Sequence, residues 1–228
     1  MAAATGGMKG FYMVLGVVAV AGLAVLGYQL SRSSSAGIPA NVAILPSDTA
    51  GFRGYVLGSD SAPVEIVEYA DYQCPWCAQF ALVTFPDVEE RLIKTGRLRW
   101  RYVDHPLDGI HRHARTSAHA AACAEEQGKF WPVHKLIYQG QDDWANGNAA
   151  KVIRGYAEAA QLDLSRYDQC MESARYAGRI EASLREGIAL GVNGTPTFLI
   201  AGRLVGQAGA TYDRIRAVVD SLSAAAPK

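Results

Sequence analysis

Hydrophobic positions fall into three rhythms along this chain: one unbroken run near the N-terminus, short β-branched or alternating runs, and longer stretches at helical spacing. The unbroken run, Phe11 to Leu30, contains no charged residue. At about 1.5 Å per residue it would cross about 30 Å of bilayer hydrocarbon, so a transmembrane anchor over 11–30 is expected, with residues 1–10 on the cytoplasmic side. A cleaved signal with a small-residue site at Ser34-Ser35-Ala36 is the rival reading. The length of the run and the lack of a following lipobox cysteine favour the anchor. Either way the remainder is exported. Residues 31–54 are rich in Ser, Gly and Pro with little periodicity and read as a flexible tether.

Beyond the tether, the turn Gly58 to Pro63 delivers a first core strand, Val64 to Ala70. Ala78, Phe80, Ala81, Leu82 and Phe85 follow at helical spacing. Pro86 should then kink or restart the helix, which runs on to a stop at Gly96. Arg97 to Val103 alternates basic and apolar residues, as a half-buried strand does. Helical patterns dominate 108–190: His113 to Gln127, Phe130 to Tyr138, Ala149 to Ala160 and Leu164 to Leu190, with a polar loop over 139–148. Gly191 to Gly194 is a turn into the strand that Pro196 opens. Gly202-Arg203 closes a hairpin, and Thr211 to Leu222 forms a final amphipathic helix.

The chemistry lies between the first strand and the first helix, in Asp71-Tyr72-Gln73-Cys74-Pro75-Trp76-Cys77. A Cys-x-x-Cys at a helix N-terminus meets unpaired backbone N–H groups and the positive end of the helix dipole, which stabilise a thiolate. Cys74 is the expected nucleophile. Cys77, one turn later, is placed to form a disulfide with it and to resolve mixed disulfides. Pro75 suits the first turn, where a missing N–H costs nothing. A structural zinc half-site would need two more ligands at comparable spacing, and Cys123 and Cys170 each stand alone. Redox chemistry is therefore preferred to zinc or to a purely structural bridge.

Composition narrows the classes further. Lys+Arg and Asp+Glu each number 22, giving zero net charge and no basic block for nucleic acid. Among the five histidines, His111 and His113 are two apart and share no helix face, and His111 and His119 lack an evident third ligand. No metal site is expected, and His105 receives no role. At Thr195-Pro196, sequence physics alone leaves the peptide bond at the ordinary X–Pro base rate for cis.

The order strand, Cys-Pro-Trp-Cys, helical block, then Gly-Val-Asn-Gly-Thr-Pro-Thr-Phe resembles the DsbA family of thioredoxin-fold oxidoreductases, most nearly its membrane-anchored, BdbD-like branch. The likeness covers about residues 57–222. It implies an α/β thioredoxin fold over 55–107 and 191–228, with 108–190 as an inserted helical domain. It further implies that Pro196 is cis and faces the Cys74–Cys77 pair, with Thr195, Pro196, Pro75 and Trp76 meeting the substrate. Glu68 matches the buried acid that the family places beneath its active site, there to take up the proton of Cys77. Its alternative is a place on the solvent face. Cys123 and Cys170 match a second, structural disulfide of part of this branch. Two buried free thiols and a redox relay to Cys74 stay open beside that.

The implied activity is a dithiol oxidase of exported cysteine-containing proteins, re-oxidised by a membrane protein of the DsbB or vitamin K epoxide reductase type. No small-molecule cofactor is implied. The dipeptide Pro75-Trp76 departs from the Pro-His of the best-known oxidase, so a reductase or isomerase is the second reading. A Cu(I)-handling module is the third.

Overall fold

The computed structural model describes residues 6–33 and 37–225, and the side chains of 10–25 and 37–224. The chain divides after residue 36 into two units. The first contains helix α1, Gly6–Ser33. Among the described residues no helix is long and apolar enough to cross a membrane. The anchor expected over 11–30 extends past the described side chains, since those of residues 26–30 lie outside them.

The second unit is built on a five-stranded sheet of order β1-β3-β2-β4-β5, with β1 Tyr55–Leu57, β2 Glu65–Ala70, β3 Arg99–Asp104, β4 Thr197–Ile200 and β5 Arg203–Gly206. Only β2 and β3 run parallel. β1 lies antiparallel to β3, β4 to β2 and β5 to β4. Parallel neighbours need a crossover, and the active-site helix supplies it between β2 and β3. Side-chain alternation puts Ile66, Glu68 and Ala70 on one face of β2, while Val67 and Tyr69 turn to the other and join Val103 and Val192. On the first face, Ile66, Phe80, Trp100 and Phe198 meet Ile215 and Val219 of the terminal helix α11, Tyr212–Ala225.

The crossover helix begins as α3, Pro75–Gln79, and continues through α4, Phe85–Val88. The kink expected at Pro86 takes the form of wide π-helical turns over Phe80–Thr84 and Glu89–Ile93, in which Phe85 N–H bonds to the Phe80 carbonyl and Lys94 N–H to that of Glu89. A proline ring clashes with the carbonyl four residues back and offers no donor, and widening the preceding turn relieves both problems without ending the helix.

The 108–190 stretch holds α5 Ala114–Glu125, α6 Phe130–Gln139, α7 Gln141–Trp144, α8 Ala149–Ala159, α9 Leu164–Glu172 and α10 Ala177–Leu190. Helix α5 is buried from Ala114 to Ala124 apart from Thr116, and its small side chains let neighbours approach closely. At Gly187 of α10 an added Cβ would lie 2.5 Å from His105 Nδ1, so only glycine fits where α10 crosses β3.

Two expectations differ from the structure. The polar loop over 139–148 contains α7, and Trp144 is fully buried with its indole N–H 2.8 Å from the Ile137 carbonyl. A four-residue helix is too short to show a period. The expected tether is packed from residue 37 onward. A short helix, α2 (Pro46–Thr49), lies against α10, Asn41 N–H donates to Glu181 at 3.2 Å, and the Arg179 guanidinium sits 4.2 Å over the Phe52 ring. Loop-like composition signals irregular backbone, which can still be tied down by polar and cation–π contacts that leave no periodic trace.

Candidate active site

The site grows from the end of β2. Asp71 makes the turn: its carbonyl accepts the Cys74 N–H at 3.1 Å and its Oδ1 accepts the Gln73 N–H at 2.7 Å. The inserted helices hold this turn from outside. Gln141 Nε2 donates to the carbonyls of Tyr72 at 2.6 Å and Cys74 at 3.1 Å. Gln73 Nε2 donates to the Ala145 carbonyl at 3.0 Å, while Gln73 Oε1 accepts the His113 N–H at 2.7 Å. Cys74 is then the N-cap of α3, extended at φ −72°, ψ 122°, with Pro75 opening the helix.

The Thr195-Pro196 peptide is cis, and it brings the Thr195 carbonyl to 3.2 Å from Cys74 Sγ. Thus the two motifs meet as the resemblance implied. Beside them Trp76 is 57% exposed, a flat apolar ring at the mouth of the site.

The two thiols, both buried and unbonded to each other, are electrostatically unlike. The Cys77 thiol, hydrogen-bonding to Cys74, is the main influence drawing the Cys74 pKa down to about 6. The Thr195 side chain and the backbone N–H groups of Cys77 and Trp76 add to it, and together they outweigh the cost of burial. Cys77 is pushed well up, first by burial and then by Cys74. At neutral pH a thiol with a pKa near 6 is about nine-tenths thiolate. Such a pair can perform thiol–disulfide exchange, with Cys74 meeting substrate and Cys77 shielded.

Glu68 lies on the buried face, 3% exposed, between Tyr102 and Phe198 on the flanking strands. One carboxyl oxygen accepts the Trp100 indole N–H at 3.1 Å and the other has no partner among the described residues. Burial raises its pKa to about 8, against the smaller opposing pull of the Trp100 hydrogen bond. It is close enough to Cys77 for its charge to raise that thiol further. A carboxyl with a pKa near 8 can exchange a proton with Cys77 at neutral pH.

Cys123 and Cys170 are bonded, joining α5 to α9 with their Cα atoms 5.8 Å apart across a sequence separation of 47. Both are sealed from solvent and belong to the same core cluster as Cys77. His119 faces this bridge, with Nδ1 3.5 Å from Cys123 Sγ, but its Nε2 accepts the Tyr176 N–H at 3.0 Å. Burial holds His119 neutral, its pKa lowered to about 4, so Nδ1 carries the proton and offers no lone pair to a metal.

Sequence reasoning gave no role to three buried polar groups nearby. Asp71 has no exposed side-chain surface and accepts hydrogen bonds from the Leu107 N–H and from His111 Nδ1, both at 2.8 Å. Asp104, which ends β3, is buried with neither carboxyl oxygen partnered among the described residues, and burial raises its pKa to about 8. His105 is buried against Tyr69, and burial lowers its pKa. The cue in the sequence was Asp71 itself, an acid at the strand end directly before the cysteines.

A thioredoxin family model matches residues 52–221, from the packed segment before β1 to the terminal helix. The chain belongs to the thioredoxin family. Within solved structures of this fold it resembles BdbD from Bacillus subtilis, with a TM-score of 0.66, 23% identity, and 73% of this chain and 91% of that one covered. DsbA of Chlamydia trachomatis gives a TM-score of 0.70 at 19% identity, covering 83% of this chain and all of that one. Of the curated relatives, the Na(+)/H(+) antiporter NhaA 3 of Salinispora tropica is 39% identical over 151 residues, which are 66% of this chain and 22% of that protein. This thioredoxin family member thus spans only about a fifth of the length of the curated relatives it matches.

Proposed function

We propose that the protein is a dithiol oxidase of exported, cysteine-containing proteins. The observation that carries this is the unequal pair: Cys74 drawn down to about 6 and Cys77 pushed up. Stabilising the Cys74 thiolate stabilises the reduced form, and a pair whose reduced form is stabilised gives up its disulfide readily.

In the disulfide form a substrate thiolate attacks Cys74 Sγ. The Cys74–Cys77 bond breaks, and Cys77 leaves with the electron pair and takes a proton from Glu68. The second substrate thiolate attacks the substrate sulfur of the mixed disulfide and expels Cys74 as a thiolate. The substrate has lost two electrons and the pair has gained them. The Thr195 backbone beside the sulfur suits an extended substrate segment pairing as an added strand, with Pro75, Trp76 and Pro196 as apolar neighbours.

Re-oxidation falls to a membrane protein of the DsbB or vitamin K epoxide reductase type. The uncharged run Phe11 to Leu30 supports export, with the catalytic unit outside a bacterial cell membrane. The deciding experiment is equilibration of the Cys74–Cys77 pair with glutathione, together with its redox form in cells. An oxidase is mostly oxidised in cells, is reduced by mild glutathione and speeds disulfide formation in reduced ribonuclease. A pair found reduced in cells, with a strongly negative potential, would assign the reductase or isomerase direction instead.

A further inference from the structure

The dipeptide between the cysteines brings no charge to Cys74, whereas a buried carboxylate sits three residues before it. Asp71 accepts the N–H groups of Gln73 and Leu107 and the Nδ1 of His111, at 2.7 to 2.8 Å. A carboxyl that accepts three donors and offers no proton to any acceptor is an anion. Placed there alone, that anion would oppose a second negative charge on Cys74. Among the described residues His111 is its one side-chain partner, and the Asp71 carbonyl in turn accepts the Cys74 N–H at 3.1 Å, so the Asp71–His111 pair sits against the turn that carries the nucleophile.

The other charges near this segment are engaged elsewhere or act on different groups. Asp108 is bound by the Arg115 guanidinium, and Arg112 bears on His113. Asp104 and His105 both feel Asp71, but neither hydrogen-bonds to it. The 107–113 segment that carries His111 is also tied to the active-site turn twice more, through Leu107 N–H to Asp71 and His113 N–H to Gln73.

We propose that His111 is a positioning residue of the catalytic pair: as an imidazolium held by Asp71, it cancels the Asp71 charge beside Cys74 and so permits the Cys74 thiolate. The cation missing from Pro75-Trp76 is thereby supplied by the first loop after β3. The Asp71 hydrogen bond raises the His111 pKa, which keeps the ring charged over more of the neutral range. This deepens the oxidase reading and rests on it for its functional meaning.

The test is the thiolate absorbance of Cys74 against pH in the full chain, with glutathione equilibrium measured beside it. His111→Gln keeps a side-chain donor for Asp71 and removes the charge. The midpoint of Cys74 should rise by about half to one pH unit, a three- to tenfold fall in the thiolate-to-thiol ratio. The glutathione equilibrium should shift toward a less oxidising pair. Combining Asp71→Asn with His111→Gln removes both charges and should return the midpoint to within about 0.3 units of the original. His111→Lys retains the cation and should hold it low. The proposal is overturned if folded His111→Gln titrates like the parent, or if the double variant stays as high as the single one. Failure of the oxidase reading would instead show in the parent protein, as no gain in ribonuclease oxidation, whatever the variants do.

Discussion

Glu68→Gln should make this protein more stable at alkaline pH and, by a pH-independent offset, less stable in acid. The carboxyl has an ordinary pKa of 4.5 in the unfolded chain and about 8 in the fold, where burial keeps it neutral. At pH 4 both states hold the proton and burial of the charge costs nothing. Above pH 4.5 the unfolded state releases its proton while the folded state keeps it, so stability falls as pH rises by up to about 1.4 kcal/mol per unit. The loss is complete only past pH 8, where it totals about 5 kcal/mol. Glutamine has no such proton. Its amide can accept from Trp100 as the acid does, but its NH₂ enters the place of the unpartnered oxygen, at a pH-independent cost of about 1–3 kcal/mol. Urea unfolding of both proteins from pH 4 to 8.5, with Cys74–Cys77 held reduced, should give a difference that climbs through pH 5–8 in favour of the variant. Asp104, also raised to about 8, contributes a like slope to both proteins and cancels. A flat difference would mean that water or a counter-charge reaches Glu68, and the proton-exchange role drawn from its burial would fall with it.

Cys77→Ala should lift the Cys74 absorbance midpoint above 6, because the Cys77 hydrogen bond is the largest influence holding it down. The same variant should accumulate mixed disulfides with its substrates, visible on non-reducing gels. Replacing both Cys123 and Cys170 by Ala should cost about 2–4 kcal/mol, a fall in Tm of about 4–16 °C by calorimetry, through the freed loop of the unfolded chain. Trp144→Ala empties a fully buried site and drops an indole hydrogen bond, so urea unfolding should show a loss of about 3–5 kcal/mol.

The elements that the sequence announced were those with a period to read. β2, the amphipathic end of α11 and the alanine-rich α5 could be found because their apolar residues repeat at the spacing that packing requires. Cys74 and Cys77 were legible because their place between strand and helix is itself the chemistry. Contacts across long stretches of chain had no such trace. The Gln141 clasp on the Cys74 carbonyl and the Asp71–His111 pair each join residues far apart along the chain. Although Asp71 stands out as an acid at the strand end, nothing local marks Gln141 or His111 as a partner in either contact. Residues 37–54 were misread for the same reason: Phe52 under Arg179 and Asn41 on Glu181 are single contacts with no repeat. The cis bond at Pro196 came from likeness to a family, since a Thr-Pro after a glycine turn favours neither isomer strongly enough to decide.

The Cys123–Cys170 bridge also says something about how the molecule matures. Its sulfurs are buried where α5 meets α9, with His119 beside them, so the closed fold gives an oxidant little access. The bond therefore forms more readily while the polypeptide is still open than after these helices have packed. On the proposed reading, a protein that hands out disulfides needs one of its own before its fold is closed.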